Sequence, residues 1–275
     1  MALSGQDSLV TAMAGRQDII ITKASRTSVA FGWFSTFDLT GMPGAGVLAG
    51  TSTTVGVVPT DLTVGCSPVN AFAGANIGYI AGLSFSSSVA CRKVVADMVF
   101  KAGAYGFAAG TTNLATQPSY AARMPGGDYK GTQIWIEVST AFVTGTAWQV
   151  VVTYTNQDGT AGRSTVILPA TAAANLTLGR MYRLDLAAGD TGVQKIESVV
   201  VTNGGTAMTA GAFNVLVLRP LLSNIRVPLA GFGDTFGPDK TLLKQVFADS
   251  ALVLLVNADS TASGLPDATL TVINA

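Results

Sequence analysis

Histidine is missing from this 275-residue chain. That absence excludes Ser-His and Cys-His nucleophile pairs, imidazole bases and nearly all common zinc sites. Cysteine is almost missing as well: Cys66 and Cys91 are the only two. They make no disulfide framework and read as two small buried thiols; a bridge between them is open only if the fold brings their Cα atoms within about 7 Å. Charge is scarce too, 12% of residues against a usual share of roughly a quarter. The 16 basic and 16 acidic residues cancel, and no like-charge run is longer than Arg92-Lys93, so nothing marks the chain for nucleic acid or anionic lipid. Long apolar runs are lacking. A spanning helix needs about 20 consecutive apolar residues, but the run from Ala251 to Val256 is short, and that from Phe213 to Leu222 is broken by Asn214, Arg219 and Pro220. The start, "MALSGQDSLVTAMAGRQD", has no basic segment followed by an apolar one. A secretory signal and an outer-membrane barrel are therefore not expected, and the protein is expected to be soluble and made in the cytoplasm.

What is present is apolar and neutral. Apolar residues make up 48%, so much of the surface must be Gly, Ala, Ser, Thr and Asn. Such a surface lacks the self-repulsion that keeps proteins apart, which favours life inside an assembly. The length allows one large domain with extensions or two small ones.

Residues 4–14 predict a short helix, with Ser4 as cap and Leu9, Val10 and Met13 on one side. In "VAFGWFSTFDL" (29–39), Phe31, Trp33, Phe34 and Phe37 crowd together as core, subunit contact or an aromatic ligand platform. From Thr40 to Pro68 the chain reads as a nearly uncharged Gly/Thr/Pro-rich arm, expected to order against something else, such as a neighbouring copy. Strands are predicted at 77–87, 91–102, 132–140, 148–155, 163–168, 181–186, 193–202 and 213–219, separated by Gly, Asn, Asp and Pro. Residues 240–248 predict a short helix with Leu242, Leu243 and Val246 inward, followed by strands at 251–256 and 268–273. The fold expected is mainly β: an antiparallel β-sandwich, jelly-roll-like, with extended terminal segments and one or two short helices. Its divisions are an N-terminal helix and arm (1–68), the sandwich (69–222) and a C-terminal segment (223–275) packed on the sandwich or on a neighbour.

The candidate sites are weak. Asn156-Gln157-Asp158-Gly159 lies between two β runs and lacks the further acids of a calcium loop, so it reads as a hairpin turn. "AAGDTG" (187–192) offers a lone carboxylate. In "GFGDTFGPDK" (231–240), Asp234 and Asp239 read as turn and helix cap. Gly82-Leu83-Ser84-Phe85-Ser86 lacks the last glycine of a nucleophile elbow, and no phosphate loop is present. Paired carboxylates for glycoside hydrolysis would have to come from Glu137, Glu197 and the aspartates. Asn175-Leu176-Thr177 matches a glycosylation sequon but follows no export signal. The sequence thus assigns no catalytic, cofactor-binding or metal-ligating residue and no cofactor, and the chain is not expected to be an enzyme.

"RQDIIITKASRTS" near the start, "TGMPGAG" (40–46), "YTNQDGTAGR" (154–163) and "AAGDTGVQKIESVVV" (187–201) resemble segments of tailed-bacteriophage virion proteins. The resemblance implies a structural part of the particle. It does not assign that part to head, neck or tail; taken with the low charge, the many strands and the terminal segments fit to wrap around neighbours, the function expected is a capsid decoration or minor capsid protein in the virion. Its expected partners are the major capsid protein, other virion proteins and copies of itself, with a trimer favoured and no sequence-specific nucleic acid or membrane partner. The alternative is a tail or receptor-binding component whose Trp33, Trp135 or Trp148 stacks on sugar rings.

Overall fold

A computed structural model describes residues 5–50, 52–72, 77–142, 148–171, 176–203 and 210–274. Ser4 and Asn175, and with them the proposed cap and the sequon, lie outside these residues. Helix α1 (Gln6–Ala14) leads into β1 (Gln17–Lys23), β2 (Trp33–Ser35), β3 (Gly41–Met42) and β4 (Ser52–Val57). Then come β5 (Ile77–Ser87), the long β6 (Cys91–Gly106), β7 (Gly110–Asn113) and two 3-10 turns at Ala121–Arg123 and Pro125–Gly127. The chain continues through β8 (Gln133–Thr140), β9 (Trp148–Asn156), β10 (Arg163–Ser164), β11 (Leu168–Thr171), β12 (Arg180–Leu184) and β13 (Val193–Asn203). Last come β14 (Ala212–Val227), β15 (Gly233–Phe236), the one-turn α2 (Pro238–Thr241), β16 (Gln245–Phe247), β17 (Leu252–Ala258) and β18 (Pro266–Asn274). Among the described residues no helix is long and apolar enough to cross a membrane.

The fold is mainly β, with antiparallel sheets in a sandwich-like, jelly-roll-like arrangement, as the strand pattern predicts. Seven strands run β14-β8-β12-β2-β17-β6-β4, and β14 pairs with β6 as well. That extra pairing runs from Ala212 opposite Gly106 to Val227 opposite Cys91, and it closes six of the strands into a barrel with β4 attached to β6. Alternation along each strand then sorts side chains to the two faces of the wall. Val94, Ala96, Met98, Trp135, Met181, Leu216, Leu218, Val253 and Leu255 form the interior cluster.

The outer wall builds two further cores. Ile134, Ile136, Val138, Val99, Val215 and Val217 pack against Trp148, Val150, Val152, Tyr154, Ile196 and Val199 of the five-stranded sheet, β10-β9-β13-β7 with β11 on β9. Val95, Ile225, Leu252, Leu254 and Val256 pack against Ile19, Ile21, Ile80, Leu83, Leu270 and Val272 of the six-stranded sheet, β15-β5-β18-β1-β3 with β16 on β5. One barrel is thus a shared wall for two cores, and strands from residues 1–68, 69–222 and 223–275 meet in the same sheets.

Three local expectations change. The stretch 240–248 is not a helix: α2 stops at Thr241, Leu242 and Leu243 take positive φ (53° and 46°), and Gln245–Phe247 joins β5 as β16. Only Val246 of the three predicted inward residues is buried, while Leu242 is exposed. The expected N-terminal helix forms as α1, but it buries none of its residues, so the side that Leu9, Val10 and Met13 share is not a core face. The arm at 40–68 is ordered against its own chain: Phe37, Leu48 and Cys66 close one end of the barrel interior. Buried amines hold this strap where apolar packing alone would be thin. Lys23 Nζ donates to the carbonyls of Leu39 (3.2 Å), Pro43 (2.8 Å) and Gly44 (3.2 Å), and Lys101 Nζ to that of Val47 (3.0 Å).

Candidate functional site

The barrel has two unlike ends. At the strapped end, Lys101 and Glu137 approach to 4.0 Å inside the wall. Asn214 Nδ2 donates to Glu137 Oε2 at 3.0 Å and to the Leu48 carbonyl at 2.5 Å, and Lys101 lies 4.9 Å from the centre of the Phe37 ring. Glu137, Asn214 and Lys101 are all buried, so they bind the strap and have no route to a substrate. Cys66 sits at this end as a free thiol, and burial pushes its pKa up to about 12. That value keeps it protonated and inert. Cys91, also free and buried, belongs to the core under the six-stranded sheet, so the two thiols lie in different cores.

The other end is open. A cavity of about 520 Å³ is lined by Trp33, Trp135, Arg92, Arg183, Gln133 and Asn224, among others. Mouths of β-barrels are a common place for ligand sites, and this volume falls in their usual range. Register places the rim residues. Trp33 stands opposite Asn257, Asn257 opposite Arg92, and Arg92 opposite Arg226, one row across β2, β17, β6 and β14; Arg92 is shared with an adjoining cavity of about 390 Å³, which Phe31, Arg226, Asn257 and Asp259 line. Arg183 stands opposite Trp135 and is exposed at the opening. The two indoles meet edge to face at 6.0 Å, and Trp135 Nε1 donates to Gln133 Oε1 at 3.1 Å. Trp135 is 4% exposed and forms the floor, whereas Trp33 is half-buried and presents part of its ring. Asn224 has φ 59°, in the left-handed region that Asn tolerates, where a bulge bends β14 over the opening.

The candidates raised by the sequence fall as follows. Asn156–Gly159 is a turn: Asn156 Oδ1 accepts from the backbone N–H of Asp158 (3.0 Å) and Thr160 (2.9 Å), and Gly159 has φ 83°. The lone carboxylate at 187–192, Asp190, clips this turn. Desolvation would raise its pKa, but hydrogen bonds from Arg163 (2.9 Å), Asn156 (2.9 Å) and Tyr154 (2.7 Å) win and hold it at about 2. Asp234 accepts from the Thr235 N–H, and Asp239 is not the cap expected. Gly237 is the N-cap there and Pro238, having no N–H to satisfy, takes the first helical position. Ser84 lies in β5, 3.4 Å from Thr235. Glu137 is sealed in the barrel, while Glu197 accepts from Thr155 (2.7 Å) on the five-stranded sheet, so the two glutamates are not brought together. Among the described residues no three acidic or thiol side chains gather as a metal site. Of the three tryptophans, Trp148 is fully buried, stacked on Phe213 and edge-on to Phe107, and cannot stack on a sugar.

The arginines of the rim were not singled out in the sequence. Only Arg92 carries a signal, the like-charge step Arg92-Lys93, which the strand splits: Arg92 faces the mouth and Lys93 is buried on the other side.

No family model matches the chain, and no curated protein matches it. Among solved structures it is similar to the infectious bursal disease virus Gx strain structure, at 10% identity over 94% of this chain and 80% of that one, with a TM-score of 0.22. It is also similar to the VP2 subviral particle of infectious bursal disease virus, at 11% identity over 94% and 79%, with a TM-score of 0.21. Neither is a tailed-phage protein, and scores this low do not establish a shared fold.

Proposed function

We propose that this chain is a structural component of a virion, a decoration or minor capsid protein that stabilises a shell through subunit interfaces. The observation that carries the proposal is the outer surface of the strap. Leu62 is 82% exposed and Val47 and Val64 are both 67% exposed. Gly46 and Gly65 lie back to back, which sets Val47 and Val64 on adjoining stretches. From Thr40 to Pro68 the sequence carries a single charge, Asp61. Exposed apolar groups held on a rigid, nearly uncharged support fit a protein contact better than solvent.

The low charge of the whole chain and the resemblance of its turn motifs to tailed-phage virion proteins point the same way. The capsid-protein neighbours, at their TM-scores, add no weight. On this reading the chain is a homo-oligomer, with a trimer expected, it contacts the major shell protein, and it is not an enzyme.

The test is the solution mass by light scattering, followed by mixing with phage heads that lack the protein. The native chain is expected to form a stable oligomer and bind shells at a fixed ratio. Leu62→Lys with Val64→Lys is expected to remain folded, with unchanged thermal midpoint, and to lose both properties. A native monomer that ignores shells would overturn the proposal.

A further inference from the structure

The geometry points to a second, separate role for the open end of the barrel: a binding site for an acidic saccharide, one that carries a carboxylate on a sugar ring. Two features of the mouth are difficult to account for as structure alone. The first is the direct cross-strand pairing of Arg92 with Arg226, both exposed. Like charges directly opposite one another on a sheet are unfavourable. Among the described residues neither arginine forms an ion pair, although Asp259 lines the same cavity as both, and Arg183 nearby pairs with Asp185 at 3.1 Å. A bound anion would relieve that repulsion, and the planar guanidinium suits a carboxylate in two-point contact.

The second feature is the tryptophan in the same row. Trp33, separated from Arg92 by only the strand that carries Asn257, shows part of its indole at the opening, backed edge-on by Trp135. A sugar ring offers an apolar C–H face to such an indole while its rim of hydroxyls meets amides. Gln133 lies in the cavity wall and Asn257 in the row between indole and arginine. Phe31, 75% exposed at φ 59°, is held beside this row by Asn257 Nδ2, which donates to its carbonyl at 2.9 Å. A large aromatic side chain in the left-handed region is uncommon and costs backbone energy, so its outward placement is a further sign of a contact surface. The order along the row, aromatic then amide then paired cations, would seat the ring over Trp33 and the carboxylate between Arg92 and Arg226.

This proposal does not depend on the virion reading, because it is tested on the isolated chain. Tryptophan fluorescence is followed during titration with a glucuronate-containing oligosaccharide and with sialyllactose. Lactose, acetate, sulfate and a nucleoside monophosphate serve as comparisons. A saturable change with at least one acidic saccharide, and none with lactose or the small anions, is the result expected. Trp33→Leu should remove the response. Arg92→Gln with Arg226→Gln should weaken binding by about tenfold or more, the equivalent of one lost charge-assisted contact. Because Trp33→Leu also removes the reporter, its binding is measured by calorimetry as well. Arg92 and Arg226 are exposed, so the double arginine variant should keep the native thermal midpoint; Trp33 packs on Trp135, so Trp33→Leu is scored only where circular dichroism shows it folded. No response to either acidic saccharide, an equal response to lactose, a response to sulfate or the nucleotide alone, or full binding by the double arginine variant would each overturn the proposal.

Discussion

Lys93 carries an ammonium into the boundary between the barrel and the six-stranded sheet, where it is fully buried. Its Nζ donates to the carbonyls of Ser86 and of Asp267 (2.8 Å), tying β5 to β18 beneath the barrel. Desolvation lowers its pKa to about 8, against smaller opposing effects of Cys91 and Asp267. In the unfolded chain the amine keeps its proton up to about pH 10.4, so above pH 8 the unfolded state binds more protons than the folded one. Taken alone, Lys93 should therefore make stability rise with pH through that window, by about 1 kcal/mol between pH 8 and 9. Lys23, also lowered by desolvation, acts with the same sign. The thiols act oppositely: Cys66 and Cys91 are raised by burial, so above about pH 9 the unfolded chain ionises first and stability falls. A stability maximum near pH 9 is the prediction, read from denaturant midpoints at pH 7, 8, 9 and 10. Lys93→Met should flatten the rise from 8 to 9 and leave the fall above 9. A Lys93→Met profile that rises from pH 8 to 9 as the native one does would show that the two carbonyls compensate the buried charge completely.

At the scale of the element, the strap at 40–68 shows how a chain with few turn-independent signals is fixed in place by close backbone approach. A Cβ at Gly50 would lie 2.0 Å from the carbonyl carbon of Gly103 and 2.4 Å from the nitrogen of Ala104, both backbone atoms of the barrel wall. Gly50→Ala should therefore push the strap off β6 and destabilise the protein by about 1–3 kcal/mol, measured by urea unfolding. A neutral result would mean that the strap is loosely seated. The same segment marks the limit of what the sequence discloses. Strands such as β5, β9 and β13 were legible because β-branched and aromatic residues recur between turn signals, and their bounds agree closely with the pattern. The strap was not, because its partners are the carbonyl-seeking amines of Lys23 and Lys101, far away in sequence, and no local period encodes such a contact. The helix at 240–248 misled for a related reason: Leu242, Leu243 and Val246 have helical spacing, but the edge of β5 offered hydrogen bonds that a third strand could take. The mouth of the barrel was half legible. Trp33 stood out as an aromatic, whereas Arg92 and Arg226 become neighbours only once β6 and β14 are in register.

For the whole molecule, the consequence of one barrel serving two cores is cooperativity. Along β6, Val95 belongs to the core under the six-stranded sheet and Val99 to the core under the five-stranded one. Asp97 lies between them. It accepts from Arg123, from Arg219 Nη2 (3.1 Å), from Ser250 (2.9 Å) and from the Ala251 N–H (2.9 Å). Arg123 reaches on to the Met98 carbonyl (2.7 Å) and to those of Pro59 and Asp249, so the strap, the barrel and the turn before β17 converge on one carboxylate. Asp97→Ala would leave two buried guanidinium groups without their anion, at a cost of about 3–5 kcal/mol. Replacing the triad together, with Asp97→Leu, Arg123→Met and Arg219→Met, should recover most of that loss, because no buried charge is then left unpaired. The arrangement also predicts how the molecule comes apart. Since the wall of the barrel belongs to both cores, neither sheet can leave without exposing the face that supports the other. Fluorescence of Trp148, Trp33 and Trp135 and far-UV circular dichroism should thus report one coincident transition, in the native chain and, at lower denaturant, in Asp97→Ala. Separate transitions would mean that the two cores unfold as independent units, and that the shared barrel couples them in space but not in energy.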